Sequence, residues 1–499
     1  MFAVILLNDS LVTVLNHCIY LLMKLLSRSY SLLLFFIFVA SSAFAQVKLP
    51  SIFTDNMVLQ QKASVAFWGW AKPGATVNIT PSWSKDKLAI KSNAAGKWAL
   101  KISTPAAGGP YQILISDGKS LILNNVLIGE VWLCTGQSNM EMPMKGFKGQ
   151  PITGSNEAIL KSTNNQVRLY TVPRSPQTSP QENSKPSQWK VAEPEAVSNF
   201  SATAYYFGRL LNELLHVPIG LINDSYGGTE VESWMSANTL KNFAGVTIPA
   251  ITDSIKSPNH TPTVLYNGMV HPIVGYGIKG EIWYQGESNY DRPLQYVQRL
   301  AARVKEWRSL WGIGDYPFYY AQIAPFNYAQ FTTANNPSQV NAAYLRDAQR
   351  KAVDSIPNSA MAVLLDIGEA NNIHPANKKT GGERLALLAL SKTYGMKGFG
   401  AESPAYESLV IKDALATVKF KNAENWLTSF GKELTLFEIA GKDKVLYPAK
   451  AVIHRTTVQV SSPMVLQPVA VRYAFKDFVT AELFGTDGLP VSSFRTDDW

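Results

Sequence analysis

Between positions 46 and 125 the sequence contains short runs in which hydrophobic and polar residues alternate. Runs such as SVAFWGW, ATVNIT, KWALKIS and YQILISD are rich in β-branched and aromatic residues, which favour strands. Turn signals such as Lys72-Pro73-Gly74 and Gly108-Gly109-Pro110 separate these runs. The pattern predicts an N-terminal β-sandwich domain over residues 46–125.

Near residue 126 the pattern changes to apolar runs that alternate with segments of helical periodicity. NVLIGEVWLCTG and KGEIWYQGESN have the character of buried strands, whereas TAYYFGRLLNELL and GGERLALLALSKTYG carry apolar residues at helical spacing. This alternation predicts an α/β domain over residues 126–400, with a parallel sheet covered by helices on both faces. Residues 401–499 return to strand-like alternation and predict a C-terminal β-domain.

Four polar clusters follow directly on predicted strands of the α/β domain. They are TGQSN, NDSYGG, YQGESN and DIGEANNIHP. Ligands of open α/β sheets bind beyond the carboxyl ends of the strands. We therefore expect these four clusters to meet at one edge of the sheet and to form the functional site.

The N-terminal 45 residues have the features of a secretory signal peptide. Lys24 and Arg28 precede the apolar run SLLLFFIFVA, and Ala43-Phe44-Ala45 would direct cleavage before Gln46. Met23 would make a conventional start, so residues 1–22 are interpreted as a possible mis-assigned extension. The alternative is an N-terminal membrane anchor, for which the apolar run is short. The sequence thus predicts a periplasmic or secreted protein, with no membrane attachment after cleavage.

Composition narrows the class of protein further. Of the 499 residues, 46% are hydrophobic and 17% are charged, which is typical of a globular protein with two or three domains. The net charge of +9 is not concentrated in a basic run, so a nucleic-acid partner is not expected. Cys18 leaves with the leader, and Cys134 then has no cysteine partner for a disulfide or a metal site. Its place in an apolar strand predicts a buried structural thiol.

A serine and a histidine among the strand-end clusters suggest nucleophilic catalysis. Ser138 stands at the tip of the strand that ends in VWLCTGQSN, and His374 follows a strand in NNIHPANK. A serine hydroxyl needs a base to remove its proton, and that base is usually histidine. Acyl transfer also needs donors for the oxyanion, each worth roughly 3 kcal/mol in the transition state. The candidates are the backbone N–H of Ser138, the Gly227-Gly228 loop and the side-chain amide of Gln285.

Six stretches resemble one known family when they are taken in order. They are LPSIFTDNMVLQQ, TGQSNMEMPM, NDSYGGTEVESW, IWYQGESN, DIGEANNIHPANK and GLPVSSFRTDDW. In this order they resemble the sialate O-acetylesterases, within the SGNH-like esterases, and the resemblance spans residues 47–499. It implies a flavodoxin-like SGNH-hydrolase domain flanked by the two β-domains. It also implies two-step removal of acetyl groups from sugar hydroxyls, without a metal or a cofactor.

The resemblance assigns roles to individual residues. It implies that Ser138 is the nucleophile, that His374 is the general base, and that Gly228 and Gln285 supply oxyanion donors with the Ser138 backbone. Glu287 and Asn289 would brace this loop or contact the substrate.

One position departs from the family pattern. Many members have an aspartate two or three residues before the histidine, where this chain has Asn371 and Asn372. The third member would be Asp366, or a backbone carbonyl would hold His374 in a Ser–His dyad, which is chemically workable because the third group mainly sets the tautomer and stabilises the imidazolium. Both alternatives stay open at this point.

Other functions are also compatible with the pattern. A glycosidase would use Glu232 and Glu287 as its carboxylate pair, and a sugar-binding module would bind a glycan without turnover. Within the esterase reading, an O-acetylated sialic acid is expected to need an arginine for its carboxylate, with Arg292 as the candidate. Without a basic residue in the pocket, acetylated xylan or another neutral glycan becomes the expected substrate.

Overall fold

The computed structural model describes residues 12–24, 47–331 and 341–499. Residues 12–24 are helical and exposed. The apolar core of the predicted signal peptide and its cleavage motif lie outside the described residues. Within the ranges that are described, no helix combines the length and the apolar character needed to cross a membrane.

The N-terminal region consists of strands that pair mainly in antiparallel fashion, as their alternating sequence predicts. In β2 every second residue is buried, which places Val65 and Phe67 in the core and leaves Trp68 and Trp70 half-buried on the other face. The β2–β5 pair forms its own two-stranded sheet, while β3, β4 and β6 join the main sheet. The strands are β1 (Val58–Gln60), β2 (Ser64–Trp70), β3 (Thr76–Pro81), β4 (Leu88–Lys91), β5 (Lys97–Ser103) and β6 (Gly108–Ser116).

One long strand, β7 (Ser120–Gly136), connects this region to the central sheet. Its first part pairs antiparallel with β6, and its last part pairs in parallel with two central strands. Burial follows the change of neighbours, because residues 126–136 are all buried whereas residues 120–125 are mixed. The predicted boundary after residue 125 therefore falls inside a continuous strand, and the division into domains stays a prediction.

The central sheet is mostly parallel, as expected for the α/β region. Its order is β13-β12-β11-β7-β10-β8-β9, and only β9 runs antiparallel to its neighbour. Taken in chain order, the five strands β10-β7-β11-β12-β13 have the order 2-1-3-4-5, with β8 and β9 added outside β10. The additional strands are β8 (Asn164–Thr171), β9 (Lys190–Ala192), β10 (Ile219–Ser225), β11 (Gly280–Tyr284), β12 (Phe318–Ala321) and β13 (Ser359–Ala362).

Helices cover both faces of this sheet. Trp132 and Cys134 of β7 belong to one core with α4 and α8, whereas Val131 and Leu133 belong to the other core with α6 and α7. Cys134 is buried, and burial raises the pKa of its thiol, in keeping with the predicted structural role. The helices after residue 47 are α1 (Ser138–Glu141), α2 (Ser155–Leu160), α3 (Pro194–Ser198), α4 (Ala202–Leu215), α5 (Ala237–Leu240), α6 (Pro293–Trp311), α7 (Ala343–Ser355) and α8 (Lys378–Lys392).

The C-terminal region forms separate antiparallel sheets, which confirms its predicted β character. One four-stranded sheet has the order β14-β15-β20-β19 and another has the order β18-β17-β21-β23. Val363 and Leu365, which follow β13, belong to the same core as these sheets. The strands are β14 (Ala405–Lys412), β15 (Leu415–Lys421), β16 (Leu427–Thr428), β17 (Phe437–Ala440), β18 (Leu446–Pro448), β19 (Lys450–His454), β20 (Thr457–Ser461), β21 (Ala470–Tyr473), β22 (Phe484–Gly485) and β23 (Phe494–Arg495).

Candidate active site

The four polar clusters meet at the carboxyl ends of the central strands. Ser138 follows β7, Gly228 follows β10, Glu287 follows β11, and His374 lies in the loop between β13 and α8. All four residues line one open cleft. The juxtaposition expected from the strand-end positions is therefore present in the fold.

A sharp turn presents Ser138 at the end of β7. Gly136 has φ of 139°, and a Cβ at this position would lie 2.1 Å from the backbone oxygen of Tyr284, so only glycine fits. Ser138 is the first residue of α1, where a backbone N–H has no partner inside the helix. Among the described residues, neither this N–H nor the Ser138 hydroxyl makes a hydrogen bond. Both groups are thus available to a ligand in the cleft.

His374 is held from its Nδ1 side by a residue that the sequence did not reveal. Its Nδ1–H donates to Oε1 of Gln150 at 2.7 Å, and its backbone N–H donates to Oδ1 of Asn372 at 3.1 Å. The ring of Phe147 contacts the imidazole edge-on, with centroids 5.3 Å apart. With Nδ1 protonated, Nε2 is the acceptor, and it has no partner among the described residues.

The environment of His374 keeps its imidazole neutral. Burial is the main cause that lowers its pKa, with a further contribution from the nearby ammonium of Lys378, and the resulting pKa is about 4. A neutral imidazole with an unoccupied Nε2 is the form that a general base requires.

The predicted third member, Asp366, is not at this histidine. Both of its carboxylate oxygens accept from Arg384, at 2.6 and 2.7 Å, because this arginine on α8 lies directly against it. The alternative of a backbone carbonyl is not found either, since the Nδ1 partner is a side-chain amide. Of the two alternatives that the sequence left open, neither Asp366 nor a backbone carbonyl holds Nδ1 of His374 in the described structure.

The loop after β10 offers one backbone donor rather than two. The N–H of Gly227 donates to Oε2 of Glu141 at 2.8 Å. The N–H of Gly228 has no partner in the described part of the chain, and this residue has φ of 71°, which favours glycine. The N–H groups of Ser138 and Gly228 are therefore the candidates for an oxyanion hole.

The predicted oxyanion role of Gln285 is corrected by its contacts. Gln285 is fully buried beneath the loop, and its Nε2 donates to Thr229 O at 2.9 Å and to Asn289 Oδ1 at 2.7 Å. Both amide hydrogens are thus used within the protein. Asn289 also accepts from Val231 N–H at 3.0 Å, so these two residues brace the loop after β10, as expected for Asn289.

This part of the chain matches a known protein family. A family model for the carbohydrate esterases described as sialic acid-specific acetylesterases matches residues 128–386, which include Ser138 and His374. The sialate O-acetylesterase of Homo sapiens is 31% identical over 398 residues, covering 72% of this chain and 74% of that protein. The chain belongs to the sialic acid-specific acetylesterase family.

Further relatives agree with this assignment. The sialate O-acetylesterase of Mus musculus is 28% identical over 422 residues, covering 73% of this chain and 77% of that protein. The crystal structure of a carbohydrate acetylesterase from Xanthomonas citri superimposes with a TM-score of 0.82 at 34% identity, covering 91% of this chain and all of that chain. The protein is therefore an esterase, and the family and the structural neighbour both support carbohydrate deacetylation.

In this member of the acetylesterase family, Asn139 links helix α1, which begins at Ser138, to the loop that carries His374. Its Nδ2 donates to Oε1 of Glu287 at 2.5 Å and to the backbone oxygen of Ile373 at 3.1 Å, and its Oδ1 accepts from Lys378. Burial raises the pKa of Glu287 and lowers that of Lys378 to about 7. The sequence named Glu287 but not Asn139 or Lys378, although GQSN and HPANK contain them. A buried polar cluster thus supports both Ser138 and His374.

The carboxylate pair of the glycosidase alternative is not assembled. Glu232 is buried, forms ion pairs with Arg299 and Arg292, and accepts from Asn289 Nδ2 at 3.0 Å. It does not line the cleft that contains Glu287. A carboxylate engaged by two arginines cannot serve as a proton donor or nucleophile at the cleft, so this arrangement does not support the glycosidase reading.

The arginines that line the cleft are paired with carboxylates. Arg292 lies 3.0 Å from Glu230 and 3.1 Å from Glu232. Arg174 lies 2.5 Å from Glu141 and sits over the ring of Tyr226, 4.2 Å from its centroid. The predicted position of Arg292 at the cleft is thus found, but its charge is offset by its neighbours.

Proposed function

We propose that this protein removes O-acetyl groups from sugar hydroxyls through an acetyl-enzyme on Ser138, with His374 as the general base. The observation that carries the proposal is a single cleft lined both by Ser138, whose hydroxyl is unengaged, and by a neutral His374 whose Nδ1 is fixed. An esterase of this family needs a nucleophile and a base. Ser288 and His260 also line this cleft, but the His260 side chain is 54% exposed and its Nδ1 lies 3.1 Å from Glu230, whereas His374 is held with Nε2 unoccupied.

The first half-reaction forms the acetyl-enzyme. Nε2 of His374 takes the proton from the Ser138 hydroxyl while its oxygen attacks the acetyl carbonyl. The backbone N–H groups of Ser138 and Gly228 donate to the oxyanion. The C–O bond to the sugar then breaks, and the proton on Nε2 passes to the departing sugar oxygen.

The second half-reaction releases acetate. A water molecule gives its proton to Nε2 and attacks the acetyl carbon, and the second tetrahedral intermediate collapses with return of the proton to Ser138. Gln150 accepts from Nδ1–H throughout, which holds the ring and its tautomer. As a neutral amide it does not stabilise the imidazolium in the way that a carboxylate does.

The low pKa of His374 gives a prediction for the pH dependence. His374 must be neutral to accept the proton, so activity is lost as the pH falls through its pKa. We expect kcat/KM for 4-nitrophenyl acetate to be level at neutral pH and to fall only near pH 4. A half-maximal point close to the ordinary histidine pKa of about 6.5 would contradict the assigned environment.

Two substrate classes follow from different observations. O-acetylated sialic acid is the first proposal, because it is the substrate class for which the family is described. An acetylated neutral glycan such as acetylxylan is the second, because both arginines at the cleft are paired and Glu141, Glu230, Glu287 and Asp291 also line it. Rates of acetate release from the two substrates at equal concentration distinguish them. Preference for the sialate requires Arg174 or Arg292 to exchange a partner for the substrate carboxylate.

We also propose the parts of the architecture that the matched relatives do not establish. The 2-1-3-4-5 order of five central strands supports a flavodoxin-like SGNH-hydrolase core flanked by β-domains. Residues 1–45 are proposed to be a signal peptide that directs the protein to the periplasm or the medium. N-terminal sequencing of the exported protein tests this, with Gln46 as the expected first residue.

A further inference from the structure

Two neighbouring segments lead away from the catalytic cleft to a second cleft in the N-terminal region. The segment 174–182 contributes Arg174 to the catalytic cleft, Thr178 and Ser179 to a side groove, and Glu182 to the second cleft. The segment 259–271 passes the same three places in the same order, from His260 to His271.

Backbone hydrogen bonds hold these two segments side by side. Gln177 N–H donates to Val264 O at 2.9 Å, and Gln181 N–H donates to Asn267 O at 2.8 Å. His271 lines both the side groove and the second cleft, so these two depressions adjoin. Arg174 and Glu182 are eight positions apart in the chain, so their Cα atoms lie at most about 29 Å apart. The three depressions therefore lie one after another along the same two segments.

The second cleft, here called the tryptophan cleft, has an aromatic surface with a polar margin. Trp68 and Trp70 lie half-buried on the same face of β2, which forms a two-stranded sheet with β5. Trp98 also lines this cleft. Flat indole faces of this kind suit the apolar faces of sugar rings.

Polar side chains able to hydrogen-bond with sugar hydroxyls also line the tryptophan cleft. Asn93, Lys97, Glu182 and His271 complete the lining. Nδ1–H of His271 donates to Gln181 O at 2.7 Å, which leaves Nε2 as an acceptor. Lys97 forms an ion pair with Glu182, so its charge is offset, as are the charges of the two arginines at the catalytic cleft. This pairing favours a neutral ligand over an anionic one.

We infer that the tryptophan cleft and the side groove bind a neutral oligosaccharide chain whose acetylated residue occupies the catalytic cleft. The inference rests on the proposed function, selects the second of its two substrate classes, the acetylated neutral glycan, and extends it from a single sugar to a chain. Binding energy from sugars far from the reacting ester would position the acetyl group at Ser138.

The test separates glycan binding from catalysis. In the full chain carrying Ser138→Ala, titration calorimetry with xylohexaose measures binding without turnover, with and without Trp70→Ala. We expect Trp70→Ala to weaken binding by about ten-fold, and affinity for the parent to rise from xylobiose to xylohexaose. Trp426→Ala is the matched control, because Trp426 is 53% exposed but lies in the C-terminal region. In the chain with Ser138 present, Trp426→Ala should leave 4-nitrophenyl acetate hydrolysis unchanged.

Several outcomes would overturn the inference. Equal affinity for xylohexaose in the parent and in Trp70→Ala, no measurable binding to the parent, or tighter binding of sialyllactose than of xylohexaose would each do so. If Trp70→Ala does not fold, Ser179→Trp obstructs the side groove instead and is expected to cause the same loss of affinity. Failure of the proposed function would show separately, as 4-nitrophenyl acetate hydrolysis that survives Ser138→Ala.

Discussion

Replacement of Ser138 by alanine is expected to lower kcat for acetyl ester hydrolysis by about 10³-fold or more, because the chain loses its only proposed nucleophile. The fold should be unaffected, since the Ser138 hydroxyl makes no hydrogen bond in the described structure. Initial rates with 4-nitrophenyl acetate and thermal unfolding by circular dichroism measure the two effects. An unchanged midpoint with a collapsed rate is the expected combination.

Ser288→Ala is the matched control for this experiment. Ser288 lines the same cleft, but only its backbone N–H takes part in a described contact, with Oε1 of Gln137 at 3.3 Å. The Ser288→Ala variant should hydrolyse 4-nitrophenyl acetate at a rate close to that of the unmodified protein. A Ser138→Ala variant that keeps the rate of Ser288→Ala would remove Ser138 from the mechanism.

Changes at Gln150 are expected to have the second-largest effect. Gln150→Leu removes the acceptor for Nδ1–H, so the ring is free to rotate and to change tautomer, and kcat should fall by about 10²-fold with little change in KM. Gln150→Glu retains an acceptor and should keep most of the rate. The added carboxylate favours the imidazolium, and it therefore raises the pKa of His374.

The pH profile distinguishes a positioning role from a merely structural one. Because the protonated imidazole cannot act as a base, a raised pKa means that Gln150→Glu loses activity at a higher pH than the unmodified enzyme, whose pKa is about 4. Asp366→Asn should leave the pH at which activity is lost unchanged, since Asp366 pairs with Arg384 and not with His374. The assignment fails if Gln150→Leu retains full kcat, or if Asp366→Asn shifts the profile and Gln150→Glu does not.

The residues that the sequence revealed are those with a local signal. Ser138 and His374 follow apolar strands, and parallel strands bring their carboxyl ends to one edge, so their proximity follows from the pattern alone. Gln150 has no such signal. It lies 224 positions before His374 and meets it only through the tertiary fold, on a loop marked by the positive φ of Gly146 and Gly149.

Other departures have equally physical reasons. Gln285 stands in a strand-end cluster, but its side chain turns inward, where Thr229 O and Asn289 Oδ1 need a donor. The hydrophobic pattern does change near residue 126, but this change does not mark the end of a strand. It occurs because the first part of β7 pairs with β6 and the last part pairs with β10. Periodicity detects which faces are buried and cannot show that the strand continues.

The acetyl-enzyme on Ser138 is the central claim, and rapid mixing with 4-nitrophenyl acetate followed by acid quenching tests it most directly. The account predicts a burst of nitrophenolate close to one equivalent of enzyme wherever deacetylation is the slower step, and one acetyl group on the peptide that contains Ser138. Acetyl recovered reproducibly on a different side chain in the cleft, such as Glu287, or a Ser138→Ala variant that still forms the acetyl-enzyme, would contradict it.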